Sequence, residues 1–491
     1  MTILPALAIA APAAAIVLFL LGQGLLRGPT LDASVFAQIA EQMRAGSVPY
    51  RDVFDHKPPG IYLAEAAVGS LLPWVDPWPR AWAITAAAAG GTLAMLAYRL
   101  RSPSRPAAVL ALIAVAPVLG AHAFAQGGGY TESLAVLPAT AGFLLATSTR
   151  VAPPALRAGI CGVLLALAVA TSLHLAPAGL GTLAALVAMG ARTRGVTAFL
   201  FGGSLVAGGV VAWLAVTGAM PGAIEQLIDY NRAYTIGPTF DQPVLPATVI
   251  VVAAMAAPAV AAAALRVIGL ARGRHAEPIE IGALVWIAAA GVVVALQRQF
   301  FGHYVLPLAT PLAILAAPAL RLLLDHLSSS GLRRVGAYAM LGASFALPIP
   351  FVAVLEPGPV RTDPVAAVAA SLSVTIPAGD AIFVWGNEPY VYLLAQRPSA
   401  GRFVYLFPLT HPRFATPALI ARHLSDWEED PPAAIVDASN HPTAVSAHPL
   451  LGRWVWEGEP VADHLDPLRT FVRDHYRAAD TIKGWTIYVP R

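Results

Sequence analysis

Residues 31–63 read LDASVFAQIAEQMRAGSVPYRDVFDHKPPGIYL. In the first half, Val35, Phe36, Ile39, Ala40 and Met43 recur at helical spacing, the pattern of an amphipathic helix lying on a membrane surface. Asp32, ahead of that run, suits the helix N-cap. The second half gathers Asp52, Asp55, His56 and Lys57 just before Pro58-Pro59, which fix the backbone where a second short helix begins. Lys57 is one of only two lysines in the chain; Lys483 is the other, and arginine supplies the remaining fixed positive charge.

The flanks of this stretch decide the fold class. The chain has 491 residues, of which 57% are hydrophobic and 12% charged, whereas a soluble domain carries roughly 25% charged residues. The apolar residues fall into runs of roughly twenty, the length that crosses a bilayer. Eleven spans are expected, near 4–26, 80–98, 107–124, 133–148, 158–174, 176–190, 196–217, 244–265, 279–296, 303–320 and 335–355. Residues 60–74 are too short to span and read as an interfacial helix, with Trp74 at headgroup depth. The N-terminal run has no basic leader and is too long for a signal-peptide core, so it reads as a retained first span. The single cysteine, Cys161, excludes an intrachain disulfide and a cysteine-based metal site. The Gly-rich QGGGY at 126–130 has neither Walker spacing nor a following lysine and is not read as a nucleotide loop.

Charge placement orients the spans. One set of loops holds thirteen arginines, and the opposite side holds seven basic residues, most of them in the loop before residue 80. The arginine-rich side is therefore expected to be cytoplasmic. The N-terminus then starts inside, and everything after span eleven lies outside. The expected division is a polytopic helical membrane part over 1–355, with a long first outer loop at 27–79, and a soluble α/β domain over 356–491. In the latter, AIFVW (381–385), AAIVD (433–437) and WTIYV (485–489) read as strands between helical segments.

The ionisable residues near the spans gather on the outer side. Glu132 begins one span, Arg298 and His303 flank another, and His122 and His174 lie at span ends. The middles of the spans are nearly free of charge, which suits a chemical site at the outer face better than an ion path across the bilayer. A compact ammonium at a helix start, such as Lys57, suits a phosphate at the membrane surface. It also suits an ordinary snorkelling lysine.

With these residues in view, the first loop resembles that of polyprenyl-phosphate-sugar glycosyltransferases of the GT-C superfamily. The bacterial relatives of protein O-mannosyltransferases (glycosyltransferase family 39) and of the lipid A aminoarabinose transferase are the most similar. GGGYTESLAVLP (127–138) is similar to their second outer loop with its acid, and QRQFFGHYVLPLATPLAIL (297–315) to a later aromatic-rich entry into a span. The resemblance covers roughly residues 1–320. It implies the GT-C fold and an inverting transfer of sugar from a polyprenyl phosphate to an acceptor hydroxyl. By the same resemblance Asp32 and Glu132 match the catalytic acids and Lys57 the phosphate contact. Many relatives carry Asp-Glu at the first site, whereas this chain has Asp32-Ala33.

Arg298, His303 and Tyr304 are candidate helpers at the phosphate, and Asp52, Asp55 and His56 are candidate acceptor or metal contacts. Each has a plainer alternative. Asp32 and Glu132 can serve as helix caps, His303 as part of an aromatic belt, and the loop acids, His56 and Arg298 as solvated polar groups. Trp385, Glu388 and Tyr390 suit sugar stacking and hydrogen bonds, but a small domain core explains them better. No cofactor is identified, although a divalent cation is compatible with the acids. The expected partners are a polyprenyl-phosphate sugar, an extracytoplasmic glycan, lipid or protein acceptor, and membrane lipids, with no nucleic acid. The expected location is a bacterial inner membrane, with the site on the periplasmic side. A lipid-linked-sugar flippase and a non-catalytic scaffold are the competing functions.

Overall fold

The structure, a computed structural model, describes residues 3–25, 28–72, 77–148, 153–236, 246–297, 301–327, 364–411, 413–439, 450–451, 455–456, 459–460 and 463–491, with isolated positions at 335, 339 and 342. Ten of the eleven expected spans fall on helices among these residues. The eleventh, 335–355, lies outside the described residues, as does the boundary expected at 355/356. The bundle comprises α1 (Leu4–Leu25), α4 (Pro77–Leu100), α5 (Arg105–Gly120), α7 (Thr131–Ala146), α8 (Pro154–Thr171), α9 (Ala176–Ala188), α10 (Thr193–Val216), α13 (Pro246–Ala271), α14 (Pro278–Gln297) and α15 (Ala309–Leu327). Between α1 and α4 lie α2 (Leu31–Arg44) and α3 (Gly60–Leu71); between α5 and α7 lies the short α6 (His122–Ala125), and between α10 and α13 the short α11 (Met220–Ile224) and α12 (Asn231–Ile236). A 3-10 turn, Gly302–Leu308, leads into α15. Among the described residues, six segments are long and apolar enough to cross a membrane.

Two features differ from the expected boundaries. The helix expected at 244–265 runs on to Ala271. Arg266 is therefore buried within α13, where its guanidinium donates to both carboxylate oxygens of Glu280 at 2.6 and 2.7 Å. At α2 the cap is Thr30, whose Oγ1 accepts from the Ala33 N–H at 3.1 Å. Asp32 lies in the first turn instead of capping it.

The apolar face of α2 is not spread on a membrane surface. Val35, Phe36 and Ile39 are buried in a core shared with residues of the C-terminal region, including Trp385, Phe403 and Trp427. There Tyr390–Ala395 packs on α2, and the Phe54 N–H donates to the Arg402 carbonyl at 2.8 Å. The segment between α1 and α4 is the floor of the C-terminal region.

The C-terminal region carries a four-stranded sheet in the order β1-β2-β6-β5. β1 (Ile382–Trp385) is parallel to β2 (Ala434–Asp437), while β6 (Trp485–Pro490) is antiparallel to β2 and to β5 (Tyr476–Ile482). The three expected strands are present. β5 has no apolar alternation, because its residues are mostly exposed at the sheet edge. It exists as the hairpin partner of β6, across Lys483 and Gly484 at φ 49° and 89°, the double left-handed geometry of a tight hairpin turn. Trp385, Glu388 and Tyr390 are buried in this region's core.

Glycine permits two close approaches that frame the first loop. A Cβ at Gly60 would lie 2.6 Å from the Ala170 carbonyl oxygen, so only glycine lets α3 start against α8. In the QGGGY loop, Gly127, Gly128 and Gly129 all have positive φ. A Cβ on Gly129 would lie 2.5 Å from that of Ala33, so the triglycine run seats the loop before α7 directly on the start of α2.

The two ends of the bundle differ. At one end Arg99, Arg266 and Arg321 surround a crevice together with Ile279 and Glu280 of α14. At the other end, α14 finishes at Gln297 beside Lys57 and His174.

Candidate active site

A cavity of about 250 Å³ opens where the first loop, the N-terminal ends of α7 and α15 and the C-terminal region meet. Asp32, Asp55, His56 and Lys57 line it from the first loop. Tyr130, His303 and Tyr304 line it from the bundle. Tyr230 and Tyr234 come from the 218–243 segment, and Tyr405 and Phe407 from the C-terminal region.

Lys57 is held through its backbone. Pro58 and Pro59 follow it, and its carbonyl accepts from the Tyr50 hydroxyl at 2.6 Å and the Tyr62 hydroxyl at 3.3 Å. Tyr50 is a buried non-glycine residue at φ 69°, a conformation that costs about 1–3 kcal/mol and persists where neighbours enforce it. Here Gln226 enforces it, donating to the Tyr50 carbonyl at 2.8 Å while accepting from the Asp55 N–H at 3.0 Å. Burial works against the charge of the Lys57 ammonium, yet the carboxylates of Asp32 and Glu132 outweigh it and hold the group above its ordinary value. The lysine is cationic and reaches solvent through the cavity.

Asp32 faces this ammonium from the first turn of α2, where the helix dipole favours its charge. Burial raises its carboxyl above the usual range; Lys57 pulls it down and Asp55 adds to the rise. Asp55 is built differently. Burial pushes it up, but hydrogen bonds from His56 and Tyr62, with the His56 charge, leave it below the ordinary carboxylate value. Its Oδ1 accepts from the His56 N–H at 2.7 Å and from the Tyr405 hydroxyl at 3.0 Å, and its Oδ2 accepts from the Tyr62 hydroxyl. Asp55 is thus a saturated structural anion that ties the first loop to the C-terminal region, and Asp32 is the more basic carboxylate.

Glu132 lies in the first turn of α7 but turns toward its neighbours instead of capping the helix. Its Oε1 accepts from the Ser172 hydroxyl at 2.9 Å and lies 2.8 Å from His174 Nδ1. His174 Nε2 lies 3.1 Å from Gln297 Oε1, and the ring stacks on Tyr304 at 3.9 Å. His303 stacks on Tyr130 at 4.3 Å.

The structure brings Asp32, Asp55, His56, Lys57, His303 and Tyr304 to one cavity and sets Glu132 behind its wall. Asp52 is not at the cavity: it pairs with Arg51 and accepts from the Val48 N–H at the surface. Arg298 lies outside the described residues. The sequence reading passed over Tyr130, Tyr230, Tyr234, Tyr405 and Phe407. Tyr234 sits in NRAYT, a polar stretch without a motif, and Tyr405 in a short segment between β1 and β2 that carries no periodic signal. Among the described residues, no group of three or more His, Cys, Asp and Glu side chains converges to hold a metal ion.

No protein-family model and no curated sequence matches this chain. Solved structures do. ArnT from Cupriavidus metallidurans, bound to undecaprenyl phosphate, superposes with a TM-score of 0.62 at 14% identity, over 98% of this chain and 97% of that one. The archaeal oligosaccharyltransferase AglB from Archaeoglobus fulgidus, in complex with an inhibitory peptide and a dolichol-phosphate, gives 0.53 at 12% identity, over 88% of this chain and 69% of AglB. The chain has the GT-C fold, with a small C-terminal sheet region.

Proposed function

We propose that the chain is an integral-membrane inverting glycosyltransferase, moving a sugar from a polyprenyl phosphate to a hydroxyl of an extracytoplasmic glycan, lipid or protein. In this reading it lies in a bacterial inner membrane with the cavity facing the periplasm. The observation that carries the reading is the opposition, in one cavity, of a cationic Lys57 and a carboxylate, Asp32, whose basicity burial raises. The shared fold with ArnT, solved with undecaprenyl phosphate, supports it.

The acceptor oxygen attacks the anomeric carbon and its proton passes to Asp32. The bond from that carbon to the phosphate oxygen breaks, and its electron pair stays on the phosphate beside the Lys57 ammonium. A positioned base contributes roughly 10²–10⁴-fold. A cation aimed at developing charge contributes most where water is scarce. Arg298, His303 and Tyr304 are candidate further contacts for the phosphate. Glu132, braced by Ser172 and His174, adds negative charge behind Lys57 and helps keep it protonated. A flippase would need ionisable groups at mid-depth in the spans, whereas the acids and histidines named here stand at span ends and in loops.

Purified protein, a prenyl-phosphate sugar and an envelope acceptor extract test the reading. Asp32→Asn is expected to release free prenyl phosphate at least about 100-fold more slowly than wild type, and Asp52→Asn at the wild-type rate. Unchanged release by Asp32→Asn would overturn the role of Asp32.

A further inference from the structure

At the end of the bundle away from the cavity, the crevice that Arg99, Arg266 and Arg321 surround has a volume of about 210 Å³. It opens where α4 ends and where α5 and α14 begin. Its three guanidiniums are not equivalent. Arg266 is buried and donates to both carboxylate oxygens of Glu280, which also accepts from the Glu277 N–H at 2.8 Å. Those two charges neutralise each other. Arg99 and Arg321 are held only loosely. Arg99 stands 3.9 Å from Glu277 and Arg321 3.6 Å from Asp325, and both of these carboxylate side chains are 65% exposed. Exposed pairs of this kind contribute little. Three arginines against Glu277 and Glu280 leave the lining net positive. Ser102 and Ser104 add hydroxyls, and the N-terminus of α5 adds the positive end of its dipole. Apolar side chains stand exposed beside the crevice: Leu265 precedes Arg266, Ile281 follows Glu280 and Leu322 follows Arg321.

We infer that this crevice is a second lipid site, which takes the phosphodiester headgroup of an anionic membrane phospholipid between Arg99 and Arg321. The inference goes beyond the transferase reading and is independent of it. A guanidinium presents paired N–H donors that match phosphate oxygens, and it stays charged at every working pH. Basic pockets between spans at one face of a membrane recognise such headgroups. At about 10–15 Å³ per water-sized atom, the crevice has room for more than ten such atoms, enough for a phosphate and the short polar group esterified to it. The serine hydroxyls both donate and accept, and suit that polar group. Two observations favour a lipid over a free phosphate. The crevice stands at the ends of the spans, where headgroups lie, and the exposed Leu265, Ile281 and Leu322 offer an apolar surface to acyl chains. Arginines at span ends also act as plain orientation signals, but that role needs no crevice and no particular pair.

The test is native mass spectrometry of the full chain in detergent, titrated with phosphatidylglycerol or with zwitterionic phosphatidylcholine. Wild type is expected to retain one phosphatidylglycerol about tenfold or more tighter than phosphatidylcholine, the scale of two arginines beside an anionic headgroup. The double variant Arg99→Gln with Arg321→Gln removes that preference. Both side chains are partly exposed, so the fold is expected to survive. Ser102→Trp is the second variant. It sits at an exposed position on the crevice wall, fills the space without removing a charge, and is also expected to abolish the preference. Arg192→Gln with Arg194→Gln removes the same charge from two exposed arginines outside the crevice and leaves the preference intact. Equal retention of the two lipids by wild type would overturn the site. An equal loss in the Arg192/Arg194 control would overturn it too, reducing the effect to diffuse charge. Displacement of the lipid by inorganic phosphate at matched concentration would overturn the lipid assignment and give the crevice to a free phosphate.

Discussion

Replacing Lys57 with methionine keeps most of the side chain's volume and removes its charge. In the proposed transfer, the departing phosphate gains close to one unit of negative charge as the glycosidic bond breaks. At an effective dielectric of about 20, two unit charges roughly 4 Å apart interact by about 4 kcal/mol. Each 1.36 kcal/mol is about tenfold in rate, so full use of that interaction is worth about 10³. The cavity admits some water, and charge is only partly developed at the transition state, so the expected fall in kcat is about 10²–10³-fold. The substitution has a second consequence. Lys57 pulls the Asp32 carboxyl down; without it Asp32 rises further, and the acid limb of the rate profile moves to higher pH. The assay is prenyl phosphate release over a range of donor concentrations and pH. A kcat within about threefold of wild type, with only KM raised, would assign Lys57 to ground-state binding and refute the argument from leaving-group charge. An unshifted acid limb would refute its coupling to Asp32.

Three other outcomes follow from the same geometry. Asp32 must be deprotonated to act as base, and burial raises it; kcat/KM is therefore full above its raised value and falls as pH drops through it, above the ordinary aspartate range. Asp32→Asn should flatten that limb in a pH–rate profile. Tyr405→Phe removes one of the hydrogen bonds to the buried charge of Asp55, an interaction of about 1.5–3 kcal/mol. It should lower the unfolding free energy by that order and show a non-zero coupling with Asp55→Asn in a double-mutant cycle; zero coupling would refute the bond. Gly60→Ala places a methyl 2.6 Å from the Ala170 carbonyl; thermal unfolding in detergent should show about 1–3 kcal/mol of destabilisation, and an unchanged midpoint would refute the close α3–α8 approach.

The spans were readable because long apolar runs are a direct consequence of a bilayer solvent. The first loop was readable because Asp32, the apolar stripe and Lys57-Pro58-Pro59 each carry a local signature. Three things were hidden. The stripe on α2 reads the same whether lipid or protein covers it, and here the C-terminal core covers it. Thr30 and Asp32 are both good caps, and only the backbone decides between them. The tyrosines of the cavity arrive from segments more than 170 residues from Lys57 in the chain, for Tyr230, and more than 340, for Tyr405. No local pattern announces such a meeting. Asp52 and Asp55 illustrate the limit: three residues apart, one pairs with Arg51 at the surface and the other anchors the cavity.

The most direct test of the central claim is a mass balance. Purified wild-type protein is given a prenyl-phosphate sugar of known anomeric configuration and an envelope acceptor. Free prenyl phosphate and glycosylated acceptor are then counted, and the configuration of the new bond is determined. The account predicts one prenyl phosphate released per sugar transferred, with inversion at the anomeric carbon. Movement of the intact lipid-linked sugar across the bilayer without cleavage would contradict it.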